Sequence, residues 1–148
     1  MKRLVLTLTI ALSLISFSSF AKDDVVVTPA ALQSFKNSFK TATEVNWSAG
    51  DNFYKADFSM NGQYVSAYYD AEGYMIALTR NISSLNLPIT LQASLKNNYS
   101  QYWISELFEV ANEEGTAYYI TLENADTKMV MKSSSGSDWS TYKKVRKS

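Results

Sequence analysis

Hydrophobic and polar positions alternate most regularly between Phe53 and Leu78, where FYKADFSMNGQYVSAYYDAEGYMIAL reads as three antiparallel strands joined by two tight turns. Asn61-Gly62 separates the first two runs, and Asn-Gly is the favoured pair for a two-residue type I′ hairpin because both central residues need positive φ. The turn fixes the register. Met60 then faces Gln63, Phe58 faces Val65, Ala56 faces Ala67 and Tyr54 faces Tyr69, giving one apolar, aromatic face. The other face pairs Ser59 with Tyr64, Asp57 with Ser66 and Lys55 with Tyr68. Because side chains repeat with a period of two, a slip of one residue would mix these sets. At the second turn, Asp70-Ala71-Glu72-Gly73, setting Tyr69 opposite Tyr74 sends Ile76 and Leu78 to the apolar face and Met75, Ala77 and Thr79 to the polar aromatic one.

The rest of the chain supplies helices and more strands. Thr28-Pro29 reads as an N-cap followed by proline at the first helical position. Leu32, Phe35 and Phe39 then form an apolar stripe, with Gln33, Lys36, Asn37 and Lys40 facing outward. A short strand is expected around Glu44–Trp47, closed by Ala49-Gly50-Asp51-Asn52. After Leu78 a connector reaches Leu87-Pro88, where proline opens a second helix with Ile89 or Leu91, Leu95, Tyr99 and Tyr102 or Trp103 on its buried side. Strands are expected at Ser105–Ala111, Thr116–Glu123, Lys128–Lys132 and Trp139–Lys144, the last with no settled face.

The second half echoes the first. Ser34–Phe39 matches Ser94–Tyr99 at an offset of 60, Tyr54 falls on Tyr119 at 65, and Gly73 on Gly136 at 63. The expected fold class is therefore α+β: tandem helix-plus-four-antiparallel-strand repeats, about residues 28–82 and 87–145, with two helices packed on one face of an antiparallel sheet. Tyr118, Ile120 and Leu122 would take the apolar face, Tyr119, Thr121 and Glu123 the outer one, and Met129 and Met131 the core.

The first residues change the compartment. MKRLVLTLTIALSLISFSSFA has a basic start, an apolar centre and a small-x-small ending at Ser19-Phe20-Ala21, the pattern of a signal peptide spanning 1–21 and cleaved before Lys22. An uncleaved anchor is the alternative, but the apolar run falls short of the ~20 residues that a spanning helix needs. The mature domain is then 22–148, in the periplasm or secreted.

Of 148 residues, 46% are hydrophobic, enough for one compact domain or two small fused ones. Lys+Arg and Asp+Glu are 14 each, and losing Lys2 and Arg3 with the signal leaves a slightly acidic chain, which provides no electrostatic footprint for nucleic acid. Cysteine and histidine are both absent. Their absence removes the usual nucleophile–base pairs, thiolate and imidazole metal ligands, and any disulfide or lipid-modified cysteine. No catalytic residue, metal site or cofactor is assigned. Asp70-Ala71-Glu72-Gly73 lacks the later oxygen ligands of a calcium loop and reads as a turn. Asp57 with Asp70, and Glu113 with Glu114, are explained by cross-strand pairing and a solvated turn without acid–base chemistry. The basic tail Lys143–Lys147 could touch an acidic partner, but it is more simply a solvated end that discourages edge pairing. Asn-x-Ser sequons at Asn46, Asn81 and Asn98 would matter only in a eukaryotic secretory pathway.

The candidate site is the outer sheet face, where Lys55, Asp57, Tyr64, Tyr68, Met75 and Tyr119 combine rigid aromatic area with hydrogen-bonding tips, a mixture enriched at protein interfaces. A dimer or a second sheet edge covering the same face is the competing explanation.

Phe35 and Phe39, V-x-W at Val45–Trp47, Y-x-x-x-F at Tyr54–Phe58, A-x-Y-D-x-x-G at Ala67–Gly73 and L-P at Leu87-Pro88, in this order behind a signal peptide, resemble the PepSY-like, beta-lactamase-inhibitor-like (BLIP-like) family of small bacterial periplasmic proteins. The likeness covers roughly Ala30–Tyr142. It implies a tandem α+β fold with one sheet face open, and a non-catalytic interaction module that inhibits or regulates an envelope enzyme such as a peptidase or beta-lactamase. The partner would be an envelope protein. A small-ligand sensor or carrier in the periplasm is the alternative.

Overall fold

A computed structural model describes residues 25–148; the expected signal peptide lies outside the described residues. The elements run α1 (Pro29–Ser38), β1 (Thr43–Ala49), β2 (Tyr54–Met60), β3 (Gln63–Tyr69), β4 (Met75–Asn81), a 3-10 turn (Ser84–Asn86), α2 (Ile89–Asn98), β5 (Trp103–Asn112), β6 (Gly115–Glu123), β7 (Thr127–Ser133) and β8 (Ser140–Arg146). All eight strands form one antiparallel sheet in sequential order, β1 to β8. Sequential pairing follows from short hairpin loops everywhere except at β4–β5, which closes across α2 through Leu78↔Ala111 to Asn81↔Phe108.

The β2–β3 hairpin has the register that Asn61-Gly62 dictates, from Met60↔Gln63 to Tyr54↔Tyr69, with φ of 53° and 75° at the two turn residues. The β3–β4 pairing is different. Tyr68 faces Ala77 and Ala67 faces Leu78, two residues further along than Tyr69 opposite Tyr74 would place them, and a bulge sets Met75 against Tyr69. The turn absorbs the extra length: the Tyr74 amide donates to the Asp70 carboxylate and the Asp70 amide to the Tyr74 carbonyl. A two-residue shift preserves the period of two, so Leu78 and Ala77 keep their expected faces.

Thr28 caps α1, accepting from the Ala31 amide, and Pro29 follows it. In α2, Pro88 occupies the cap position itself, and the helix begins at Ile89. Ala31 and Phe35 of α1 share an apolar cluster with Ala56, Phe58, Val65, Ala67 and Tyr69, joined by Phe39, Trp47, Tyr54 and Leu78. Phe35 packs edge-on against Phe58 and Trp47, with ring centroids 5.0 and 5.3 Å apart. Leu32 is only half-buried, so the buried stripe is Ala31–Phe35 rather than Leu32–Phe35. The second cluster unites Leu87 and Leu91 with Leu107, Ile120, Leu122, Met129 and Met131. Leu91 is fully buried while Ile89 is exposed, which settles the α2 stripe.

Cross-strand partners share a face, and the rows Ala67↔Leu78↔Ala111 and Leu107↔Ile120↔Met131 place both clusters on one side. Between them sits a polar seam: Arg80 bonds both Glu109 carboxylate oxygens, at 3.0 and 3.4 Å, and reaches Gln63. The hydrogen bond that the guanidinium donates to Glu109, and the Glu109 charge, hold its pKa above the ordinary value.

The offset of 65 that sets Tyr54 on Tyr119 is corrected by the side-chain period. Tyr54 packs beside the first cluster and Tyr118 beside the second, whereas Tyr119 lies with Phe108 on the opposite side.

Candidate functional site

The face opposite the two apolar clusters carries five of the six candidate residues, all but Met75, and the structure disperses them. Lys55 forms a 3.0 Å ion pair with Asp57 on its own strand, and the Ser66 hydroxyl donates to the Asp57 carboxylate from β3. Tyr64 is 74% exposed. Tyr68, by contrast, is buried to 1% exposure: the Phe53 ring lies 5.6 Å from its own, and the Lys55 ammonium 6.0 Å from its centroid. Its hydroxyl is beside Thr79 yet makes no hydrogen bond of acceptable geometry. Burial first, and the Asp57 charge second, push its pKa upward, so the ring stays neutral. Tyr68 therefore supports the face from beneath and offers no contact surface.

Tyr119 is also buried. Its ring stacks on Phe108 at 5.3 Å with planes 8° apart, meets Tyr142 edge-on at 5.8 Å, and lies under the Lys132 ammonium at 5.5 Å. Met75 is exposed but belongs to the far end of the sheet: the bulge turns it against Tyr69, about 17 Å along β3 from Tyr64 at ~3.4 Å per residue. Of the six residues, Lys55, Asp57 and Tyr68 are in direct contact, Tyr64 is accessible nearby, and Tyr119 and Met75 stand apart.

Of the six, only Lys55 lines a neighbouring cleft of about 650 Å³. β5 runs past the end of β4, so Ile104, Ser105, Glu106 and Phe108 face Asn81, Ile82, Ser83 and Ser84 across a step, with Lys55, Ser66 and Thr79 on the remaining wall. A bulge between Ile104 and Glu106 marks the step on β5. The lining is mixed: the hydroxyls and amide of Ser66, Thr79, Asn81, Ser83, Ser84 and Ser105 alternate with the aliphatic Ile82, Ile104 and Leu107, beside one cation, Lys55, one aromatic edge, Phe108, and one carboxylate, Glu106, which accepts from the Thr121 hydroxyl. Such a lining suits hydrogen bonding to an extended backbone or a polyhydroxyl ligand. Among the described residues no group of acidic, histidine or cysteine side chains could hold a metal ion.

Glu106 and Phe108 carry no signal in the sequence that marks them as site residues; Thr79 is expected on the outer face and Asn81 in a sequon, neither as part of a cleft. Alternation over Ser105–Ala111 puts Glu106 and Phe108 on one face, but only the non-local β4–β5 pairing brings that face beside Ser66 and Thr79.

No family model and no curated protein matches the chain. Solved structures do. A BLIP-like protein from Bacteroides fragilis NCTC 9343 superposes with a TM-score of 0.72 at 22% identity, covering 84% of this chain and 90% of its own. A DUF2874 family protein from Bacteroides ovatus ATCC 8483 gives 0.72 at 20% identity, covering 82% and 89%. A protein from Bacteroides eggerthii DSM 20697, proposed to be periplasmic, gives 0.71 at 15% identity, covering 82% and 90%. The described residues, with two helices and an eight-stranded antiparallel sheet, are similar in fold to these three proteins over nearly those proteins' full length.

Proposed function

We propose that the chain is an exported, non-catalytic periplasmic interaction module that binds another envelope protein through the sheet face opposite its apolar clusters. Inhibition or regulation of an envelope enzyme, such as a peptidase or beta-lactamase, is the form this binding takes in our reading. The carrying observation is the cleft of mixed polar and apolar lining with Tyr64 exposed on the same strand, two residues from its wall residue Ser66: exposed aromatic anchors and partly apolar recesses are enriched at protein contacts. Export rests on the signal pattern of residues 1–21, and none of the described helices is long and apolar enough to cross a membrane. The BLIP-like neighbour adds support at the level of fold only.

In the same reading, 22–148 is one domain of two related units, about 28–82 and 87–145. The helix starts support the duplication: Thr28 donates to the Ala71 carbonyl in the β3–β4 turn, and Thr90 donates to the Gly136 carbonyl in the β7–β8 turn. Each helix is thereby tied to the last hairpin of its own unit.

The test is crosslinking in intact cells from a photoreactive residue at position 64, followed by capture with Tyr64→Ala and Asn81→Trp, both at exposed positions. Capture should fall at least about tenfold in each variant while the melting temperature stays unchanged. Undiminished capture by both would discard the face. The cleft volume also favours a second reading, since pockets for small molecules run from about 300 to 1,000 Å³. A peptidoglycan fragment that raises the melting temperature of the wild type, but not of Asn81→Trp, would establish a ligand carrier instead.

A further inference from the structure

The last strand ends the sheet. Among the described residues β8 pairs with β7 alone, which leaves one side of its backbone ladder open. Tyr142 forms a bulge, and beyond it Lys143–Arg146 pairs regularly with Thr127–Val130. These four positions are exposed, and three of them are cations: Lys143, Lys144 and Arg146. Among the described residues none of the three has a carboxylate at ion-pair distance. Glu123 is instead approached by Lys128 at 4.0 Å and Lys147 at 3.7 Å. Lys147 is further fixed by the Asn124 carbonyl and sits 4.8 Å over the Trp103 ring. Val145, 47% exposed, interrupts the run of charge opposite Lys128.

An open edge that repeats positive charge discriminates between strands. A second copy of β8 would set like charges against one another, which is unfavourable, whereas a strand bearing carboxylates would gain a cross-strand ion pair at each cation as well as the ladder hydrogen bonds. The opposite edge, β1, offers no such register, because it is broken by a bulge between Thr43 and Asn46, with Glu44 at φ 55°.

We propose that the free edge of β8 is a second binding site, which takes an acidic, extended polypeptide segment by strand addition, with carboxylates opposite Lys143, Lys144 and Arg146 and an apolar side chain opposite Val145. This site is separate from the central cleft.

The experiment titrates the full mature chain with a synthetic peptide built around Glu-Val-Glu-Glu, its ends blocked, at low and physiological salt. Saturable binding is expected, with amide protection gained along Lys143–Arg146. The triple variant Lys143→Glu, Lys144→Glu, Arg146→Glu should bind it at least about tenfold more weakly and should bind a Lys-Val-Lys-Lys peptide in its place. Because these side chains are exposed, the variant should melt with the wild type, and Asn81→Trp should bind the acidic peptide normally. Absence of saturable binding, or equal binding by the triple variant, would overturn the site. Affinity that survives backbone N-methylation of the peptide would overturn strand addition, and tighter binding to anionic vesicles than to the peptide would overturn the polypeptide assignment.

Discussion

Gly73→Ala should destabilise the protein far more than Gly62→Ala, although both glycines sit in hairpin turns with positive φ. Gly62 has φ 75° and open space around a hypothetical Cβ; Gly73 has φ 89°, and a Cβ there would lie 2.7 Å from the Ala30 carbonyl oxygen and 2.8 Å from its carbon. A left-handed conformation costs a non-glycine residue about 1–2 kcal/mol at either site. Only at Gly73 must the first turn of α1 also move, and overpacking of this kind adds about 1–3 kcal/mol. Displacing that turn would also strain the Thr28 hydroxyl bond to the Ala71 carbonyl, 2.9 Å long. The expected losses are therefore roughly 1–2 kcal/mol for Gly62→Ala and 2–5 kcal/mol for Gly73→Ala, with about 4 °C of melting temperature per kcal/mol for a domain of this size. Gly136→Ala should fall between them, since its nearest neighbour, Pro88 Cγ, is 3.4 Å away. Urea unfolding of the three variants measures this, with an unchanged m-value as the check on two-state behaviour. Equal losses at Gly62 and Gly73 would refute the reasoning, because the clash with α1 would then contribute nothing.

Three further outcomes are expected. Leu91→Ala, which empties a fully buried site in the second cluster, should cost about 2–5 kcal/mol by chemical denaturation. Tyr68→Phe removes a buried hydroxyl with no well-formed hydrogen bond among the described residues, so its stability should equal or exceed the wild type's; a loss above about 1 kcal/mol would show that the hydroxyl is bonded, with Thr79 as the nearest candidate. Burial pushes the Tyr69 phenol up to about 12, above the ordinary value of 10.0. The folded state therefore favours the neutral ring, its contribution is complete below pH 10 and is lost as pH rises toward 12, and alkaline unfolding followed by near-UV absorbance should be shallower in Tyr69→Phe.

Local patterning was sufficient where chemistry acts over a few residues. Asn61-Gly62 and the alternation around it determine the β2–β3 register residue by residue, because only one pairing satisfies both the turn and the separation of apolar from polar positions. Thr28-Pro29 marks the start of α1 for the same local reason, a cap oxygen and a fixed φ. The β3–β4 register was not legible, since Asp70–Tyr74 is long enough to close in more than one way and a bulge next to Tyr69 decided between them.

The sequence alone thus determined the faces of β2, β3 and β6, the helix stripes in outline and which residue types the chain lacks, all properties set by periods of two and 3.6 residues and by residue type. Tertiary structure decided which outward-facing side chains remain accessible. Tyr64 and Tyr68 share a face and a strand, yet Phe53 and Lys55 close over one and nothing described covers the other. It also created the cleft, because the pairing of Leu78–Asn81 with Phe108–Ala111 joins segments some thirty residues apart that no local pattern connects. Burial and pocket shape depend on such long-range neighbours, and these exist only once the two halves of the chain have closed into one sheet.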